Sequence, residues 1–131
     1  MSDELQTIRQ MCDEFAVTPR TLRFYEAKEL LSPRRVGQRR MFTRRDRARM
    51  RLIQQGKKFG FSLEDIRKLL NLYHDGEDGA QRQILRALEL GARRLAEMEA
   101  ERDRLGALIG ELRERMAEGR ERLAQVRQDA A

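Results

Sequence analysis

The sequence predicts a mainly α-helical chain in two parts: a unit of short helices broken by one small two-stranded hairpin, then a long coiled-coil helix. Three observations carry this. Helix-start signals recur at Thr18-Pro19, at Thr43 with Asp46 three residues on, and at Ser62 with Asp65 three residues on. Pro33 and Gly37 interrupt the helical pattern among them. Beyond Gly79, a seam of residues alternates by four and three from Ile84 to Val126.

The elements follow in order. Ile8, Met11, Cys12 and Phe15 fall at offsets of three and four, the stripe of an amphipathic first helix. "AVTPR" interrupts it, with Thr18 as N-cap and Pro19 at the first helical position, where a missing N–H costs nothing. The second helix is expected to run to about Glu29, with Leu22 and Leu30 turned inward and Arg20, Arg23 and Tyr25 on the solvent side. Two short helices across a tight turn make a helix-turn-helix outline, although this turn lacks glycine. Val36, Met41 and Phe42 flank Gly37-Gln38, which predicts the hairpin. A third helix starts at Thr43, with Met50, Leu52, Ile53 and Phe59 inward. A fourth starts at Ser62, with a stripe of Ile66, Leu69, Leu70 and Tyr73. "HDGEDG" reads as the linker.

The heptad positions are Ile84, Leu88, Gly91, Leu95, Met98, Arg102, Leu105, Ile109, Leu112, Met116, Gly119, Leu123 and Val126. A lone helix cannot bury such a seam, and residues 84–116 alone would span roughly 50 Å, so a partner chain is expected. Glu89–Arg93, Glu111–Arg115 and Glu118–Arg122 offer i,i+4 support on the outer faces. Gly91, Gly106, Gly110 and Gly119 each weaken the helix by about 1 kcal/mol, and fraying is expected near Gly119. Arg102 at a seam position either snorkels outward or fixes register.

Length and charge narrow the function. At 131 residues the chain holds one ordinary domain, or a smaller one plus an extended helix. Residues 1–72 carry 17 Lys and Arg against 9 Asp and Glu, and residues 73–131 carry 11 against 13. A basic half joined to a nearly neutral half suggests a polyanionic partner for the first. No apolar run approaches the ~20 residues of a membrane helix, and the acidic start "MSDELQT" is no secretory signal. With Cys12 as the single cysteine no intrachain disulfide can form, so a cytoplasmic location is expected.

Residues 34–51 hold nine arginines (34, 35, 39, 40, 44, 45, 47, 49 and 51) and one acid, Asp46. A solvated face usually mixes both signs, whereas this many guanidiniums repel one another until something neutralises them. Arginine also suits forked contacts to phosphate. Arg20 lies in the first turn of the second helix, the end a recognition helix inserts into the major groove, and is the candidate base reader. Thr18, Arg23, Tyr25, Arg35, Arg39, Arg40 and Arg44 are the other candidate DNA-binding residues, for phosphate or minor-groove contact. Leu22 and Glu26 read as structural. Cys12 sits on an inward stripe and reads as a buried thiol. His74, the sole histidine, reads as a helix C-terminal cap, without the carboxylates a metal site needs. No nucleophile–base pair, open metal position or P-loop appears, so an enzyme is the least supported reading, and no cofactor or metal is expected.

"TLRFYEAKELLSPRRVGQRRMF" resembles the MerR family of bacterial transcription regulators. Thr21, Leu22, Arg23, Phe24, Tyr25 and Glu26 match the family's helix signature, and Pro33, Arg35, Gly37, Arg40 and Phe42 match its wing. Phe42 stands where the family usually has tyrosine, so a hydroxyl contact is lost there. The resemblance covers about residues 6–75. It implies a winged helix-turn-helix that binds palindromic promoter DNA as a homodimer, distorts an overlong spacer under an effector of unknown identity, and acts on RNA polymerase. Metal-sensing members carry paired cysteines that are missing here, and other sensors append a ligand domain that has no residues left to form it. The likeness is therefore to a small, cysteine-poor branch, loosely tied to amino-acid or acyl-group catabolism.

The expected organisation is a winged helix-turn-helix DNA-binding domain over 1–75, a linker over 76–79, an antiparallel coiled-coil dimerisation helix over 80–119 and a frayed tail over 120–131. The dimerisation residues are Ile84, Leu88, Leu95, Met98, Leu105, Ile109, Leu112 and Met116. The rival readings are an architectural, excisionase-like DNA binder, and a coiled-coil scaffold whose basic half holds an acidic protein.

Overall fold

The computed structural model describes residues 4–72 and 78–131. Its elements are β1 (Gln6–Thr7), α1 (Ile8–Phe15), α2 (Pro19–Ala27), β2 (Arg34–Val36), β3 (Arg39–Phe42), α3 (Arg44–Phe59), α4 (Leu63–Leu72) and α5 (Gly79–Ala130). The chain divides into two compact units, Met1–Leu90 and Gly91–Ala131. The expected roles of Tyr73 and His74, and most of the expected linker, lie outside the described residues.

Local chemistry sets the helix starts. Thr7 and Gln10 form a capping box at α1: Thr7 Oγ1 accepts from Gln10 N at 3.1 Å and Gln10 Oε1 accepts from Thr7 N at 2.8 Å. Thr18 caps α2 by accepting from Thr21 N, and Pro19 occupies its first turn. Thr43 and Asp46 form the expected box at α3. Ser62 Oγ accepts from Asp65 N at 3.1 Å before α4. The turn between α1 and α2 manages without glycine because Ala16 adopts the left-handed conformation at φ 53°. Glu29 does the same at φ 62°, which ends α2 at Ala27, two residues short of the expected limit.

The hairpin forms, but the sheet is three-stranded in the order β1-β3-β2. Arg34, Arg35 and Val36 face Met41, Arg40 and Arg39, while Gln6 and Thr7 pair with Phe42 and Met41 on the other edge of β3. Two residues of polar β1 carry no hydrophobic pattern, so the sequence offered no sign of it. Gly37 at φ 63° turns the two-residue loop.

Met11, Leu22, Leu30, Leu31, Phe42, Met50, Ile53, Ile66 and Leu70 form the core, with Phe15 and Tyr25. Gly56 permits a close approach of α3 to α4: a Cβ there would meet Ile66 Cγ1 at 2.7 Å and Cδ1 at 2.8 Å. Leu52 and Phe59 were expected inward but are 44% and 50% exposed. They border an open apolar groove of about 320 Å³, shared with Phe61, Leu69 and Ile84, that α4 and the start of α5 leave uncovered.

The first turns of α5 belong with the helix-turn-helix unit: Leu90 is buried, and Gln83 Nε2 donates to the Leu69 carbonyl at 2.7 Å. Helical structure continues past Gly119 to Ala130, where fraying was expected. One glycine costs about 1 kcal/mol, which a long run of Leu, Ala, Arg and Glu offsets. Glu89 pairs with Arg86 at 2.8 Å rather than with Arg93, and a second i,i+3 pair joins Arg94 to Glu97. Arg102 turns outward to Asp103. The seam lies open along the second unit, with Leu95, Met98, Leu105, Ile109, Leu112 and Met116 all exposed.

Candidate nucleic-acid interface

Burial divides α2 into two faces. Leu22 and Tyr25 pack into the core, while Arg20, Arg23, Phe24 and Ala27 share the outer face at offsets of three, four and seven. Tyr25 was expected on the solvent side. It is instead 3% exposed, because its ring completes the core beneath α2. Its hydroxyl still reaches a cation: Lys57 Nζ donates to it at 3.1 Å and lies 5.6 Å from the ring centre. Thr18 Oγ1 caps α2 and meets Thr21 Oγ1 at 3.0 Å, so this hydroxyl is structural before it is anything else. Phe24 stays exposed, with Lys28 Nζ 5.6 Å from its ring centre.

The wing adds the second set of cations. Arg35 and Arg40 are cross-strand partners, an arrangement of like charges that destabilises a hairpin. Glu26 relieves it: Arg40 Nε donates to Glu26 Oε2 at 2.7 Å, tying β3 to α2. Glu26 is thus structural, as expected, and Arg40 is a hinge pin between helix and wing. Arg35, Arg39 and Arg44 remain exposed. Arg44 and Arg45 stand in the first turn of α3, the positive end of a helix, where cations are disfavoured and Asp46 is the sole acid.

The nine arginines do not form one surface. Arg47 and Arg49 are buried, at 9% and 8% exposure. Arg47 Nη1 donates to the Glu4 carbonyl at 2.7 Å, and Arg49 Nε donates to the Leu30 carbonyl at 2.7 Å. These arginines tie loops to α3, a role that spacing alone could not distinguish from a surface run. Burial, aided by the Arg45 charge, pushes the Arg49 guanidinium below the usual arginine range, while Asp46 pulls it back. Arg51 leans toward Glu14 at 3.6 Å.

Asp46, expected only as part of a helix cap, is the organising acid of the wing. At 2% exposure it accepts from Ser32 N at 2.9 Å through Oδ1. Its Oδ2 accepts from Thr43 N at 3.0 Å and Thr43 Oγ1 at 3.1 Å. Ser32 precedes β2 and Thr43 follows β3, so one carboxylate holds both ends of the wing. Cys12 is partly buried, and desolvation together with Asp13 raises its thiol above the ordinary value against the pull of Arg23. Among the described residues no three His, Cys, Asp or Glu side chains gather as a metal site would need, and no helix is long and apolar enough to cross a membrane.

Comparison with known proteins agrees with this arrangement. Residues 6–72 match the MerR HTH family regulatory protein family, and residues 47–115 match the MerR DNA-binding family. The transcriptional regulator CueR of Salmonella typhimurium is 30% identical over 107 residues, covering 77% of each chain. The regulator ZntR of Escherichia coli K12 is 40% identical over 63 residues, covering 47% of this chain and 45% of its own. The structure of HiNmlR, a MerR family regulator lacking the sensor domain and bound to promoter DNA, superposes with a TM-score of 0.61 at 27% identity over 77% of each chain. The fold alone extends to a Listeria monocytogenes chain at TM-score 0.67 and 22% identity, covering 96% of this chain and 99% of that one. With helix, wing and matches in agreement, the chain belongs to the MerR family of DNA-binding transcription regulators.

Proposed function

We propose that the protein binds a palindromic promoter as a homodimer and regulates transcription by altering the geometry of the promoter spacer. The observation that carries this is the outer face of α2 beside the wing. It concentrates Arg20, Arg23, Arg35 and Arg39, while the nearby carboxylate Glu26 is taken by Arg40. Arg20, in the first turn of α2, reads base edges. Arg23, Arg35, Arg39 and Arg44 grip phosphates, Thr18 and Arg40 hold that surface in place while lying close enough to add contacts of their own, and buried Tyr25 supports α2 from beneath. The promoter-bound HiNmlR supports DNA as the ligand.

The uncovered seam supports the homodimer. Leucines and methionines left open along a helix need a second helix to bury them, and the heptad spacing suits another copy laid antiparallel through Ile84, Leu88, Leu95, Met98, Leu105, Ile109, Leu112 and Met116. RNA polymerase at the same promoter, a small effector and a catabolic target operon complete the proposal, and these rest on family likeness. DNA footprinting tests it. Two symmetric half-sites flanking a promoter spacer support regulation, whereas diffuse coverage would favour an architectural role.

A further inference from the structure

The outer face of α2 is not cationic throughout. Arg20, Arg23, Phe24 and Ala27 share it, and the last two are apolar and exposed. A lone exposed apolar side chain is ordinary on a protein surface. Phe24 differs in its place: it stands one turn beyond Arg20 and next to Arg23, on the face assigned to DNA, with 46% of its surface open. The ring is also held. Its centroid lies 6.0 Å from that of Tyr25 with the planes at 51°, and Tyr25 is buried, its hydroxyl engaged by Lys57. Lys28 Nζ lies 5.6 Å from the Phe24 ring centre. A ring steadied on one side and open on the other offers a preformed apolar face, with little side-chain freedom left to lose on binding.

We propose that Phe24, with Ala27 beside it, recognises the C5-methyl group of a thymine in the major groove and so adds to the sequence preference set by Arg20. The inference rests on α2 as the DNA-reading helix. In the major groove that methyl is the apolar group among the hydrogen-bond donors and acceptors of the base edges, and it is met by side chains such as Ala and Phe. Against a guanine oxygen or a cytosine amino group, the same ring would strip water from a polar edge without replacing its hydrogen bonds. Phe24 follows Arg20 by one helical turn, about 6 Å along the axis, and base pairs stack about 3.4 Å apart. The thymine therefore lies within about two base pairs of the base read by Arg20.

The experiment selects a tight-binding duplex with the full chain from a random library amplified from the four ordinary nucleotides, so every C5-methyl belongs to a thymine. Each thymine is then replaced singly by uracil, which removes the methyl and leaves the base-pairing edge unchanged, and affinity is read by fluorescence anisotropy. At least one replacement should weaken binding about fourfold, the worth of one buried methyl. In Phe24→Ala that loss should vanish while the affinity for other substituted duplexes keeps its order. Phe24 is exposed, so the variant should fold. A second measurement uses the unaltered chain: 5-iodouracil at the sensitive position should cross-link to Phe24 under near-ultraviolet light, as read by mass spectrometry. Equal affinity for thymine and uracil at every position, an undiminished loss in Phe24→Ala, or cross-links confined to other residues overturns the proposal and leaves DNA binding by α2 standing. Failure to select any duplex overturns that reading and this proposal together.

Discussion

Replacing Asp46 with alanine removes one side chain and releases both ends of the wing. The carboxylate is 2% exposed and receives two backbone N–H groups, from Ser32 and Thr43, and one hydroxyl. A hydrogen bond to a charged partner contributes about 1.5–3 kcal/mol. Ser32 is exposed, so water re-solvates its N–H and the lower end applies there. Three such bonds at the lower end, with loss of the acid at the helix N-terminus, sum to about 5 kcal/mol. That is a large share of the 5–15 kcal/mol that typically holds a domain together. Asp46→Asn retains one acceptor but turns an amide donor toward N–H groups, and should cost about half as much. Urea unfolding followed by circular dichroism gives the difference, with the slope checked for constancy. At temperatures where the variant remains folded, DNA affinity should also drop, because β2 and β3 lose their common anchor. A destabilisation under about 1 kcal/mol with unchanged DNA binding would refute the clamp.

Other substitutions probe separate parts of the account. Gly56→Ala should destabilise by about 1 kcal/mol, since overpacking against buried Ile66 exceeds the propensity gain of alanine. Gly119→Ala meets no atom within 4 Å and should stabilise α5 by about the propensity difference of 1 kcal/mol, read by thermal melting. A double-mutant cycle of Arg40→Ala and Glu26→Ala should show a coupling of about 0.5–1 kcal/mol in stability, and additive losses would remove the hinge-pin role. Cys12 should react with a thiol reagent more slowly than a free cysteine at pH 8, because its raised value leaves less thiolate, and should recover the ordinary rate on unfolding.

The helices were legible because their signals are local. Thr18-Pro19, Thr43 with Asp46 and Ser62 with Asp65 act within one turn, and the structure uses each as the spacing implies. What escaped depends on distant groups. Gln6 and Thr7 become a strand because β3 presents an unpaired edge, not through any pattern of their own. Arg47 and Arg49 looked like surface charge because arginine is usually exposed. Carbonyls of Glu4 and Leu30, 43 and 19 residues away in sequence, are what draw them inward. Tyr25 was misplaced for a related reason: it lies three residues after buried Leu22, yet its polar tip suggested the outer face. Leu52 and Phe59 fit an inward stripe by hydrophobicity, but neither α4 nor the first turns of α5 closes over them.

Salt dependence of DNA binding tests the central claim most directly. Fluorescence anisotropy with a labelled promoter duplex should give an affinity that falls steeply as salt rises, the logarithmic slope being about −0.9 per phosphate neutralised by the exposed arginines. Arg39→Ala should make that slope shallower by about one unit while leaving sequence preference intact, and Arg20→Ala should erode the preference itself. A flat response to salt, or unchanged discrimination after loss of Arg20, would contradict a reading head built from α2 and the wing.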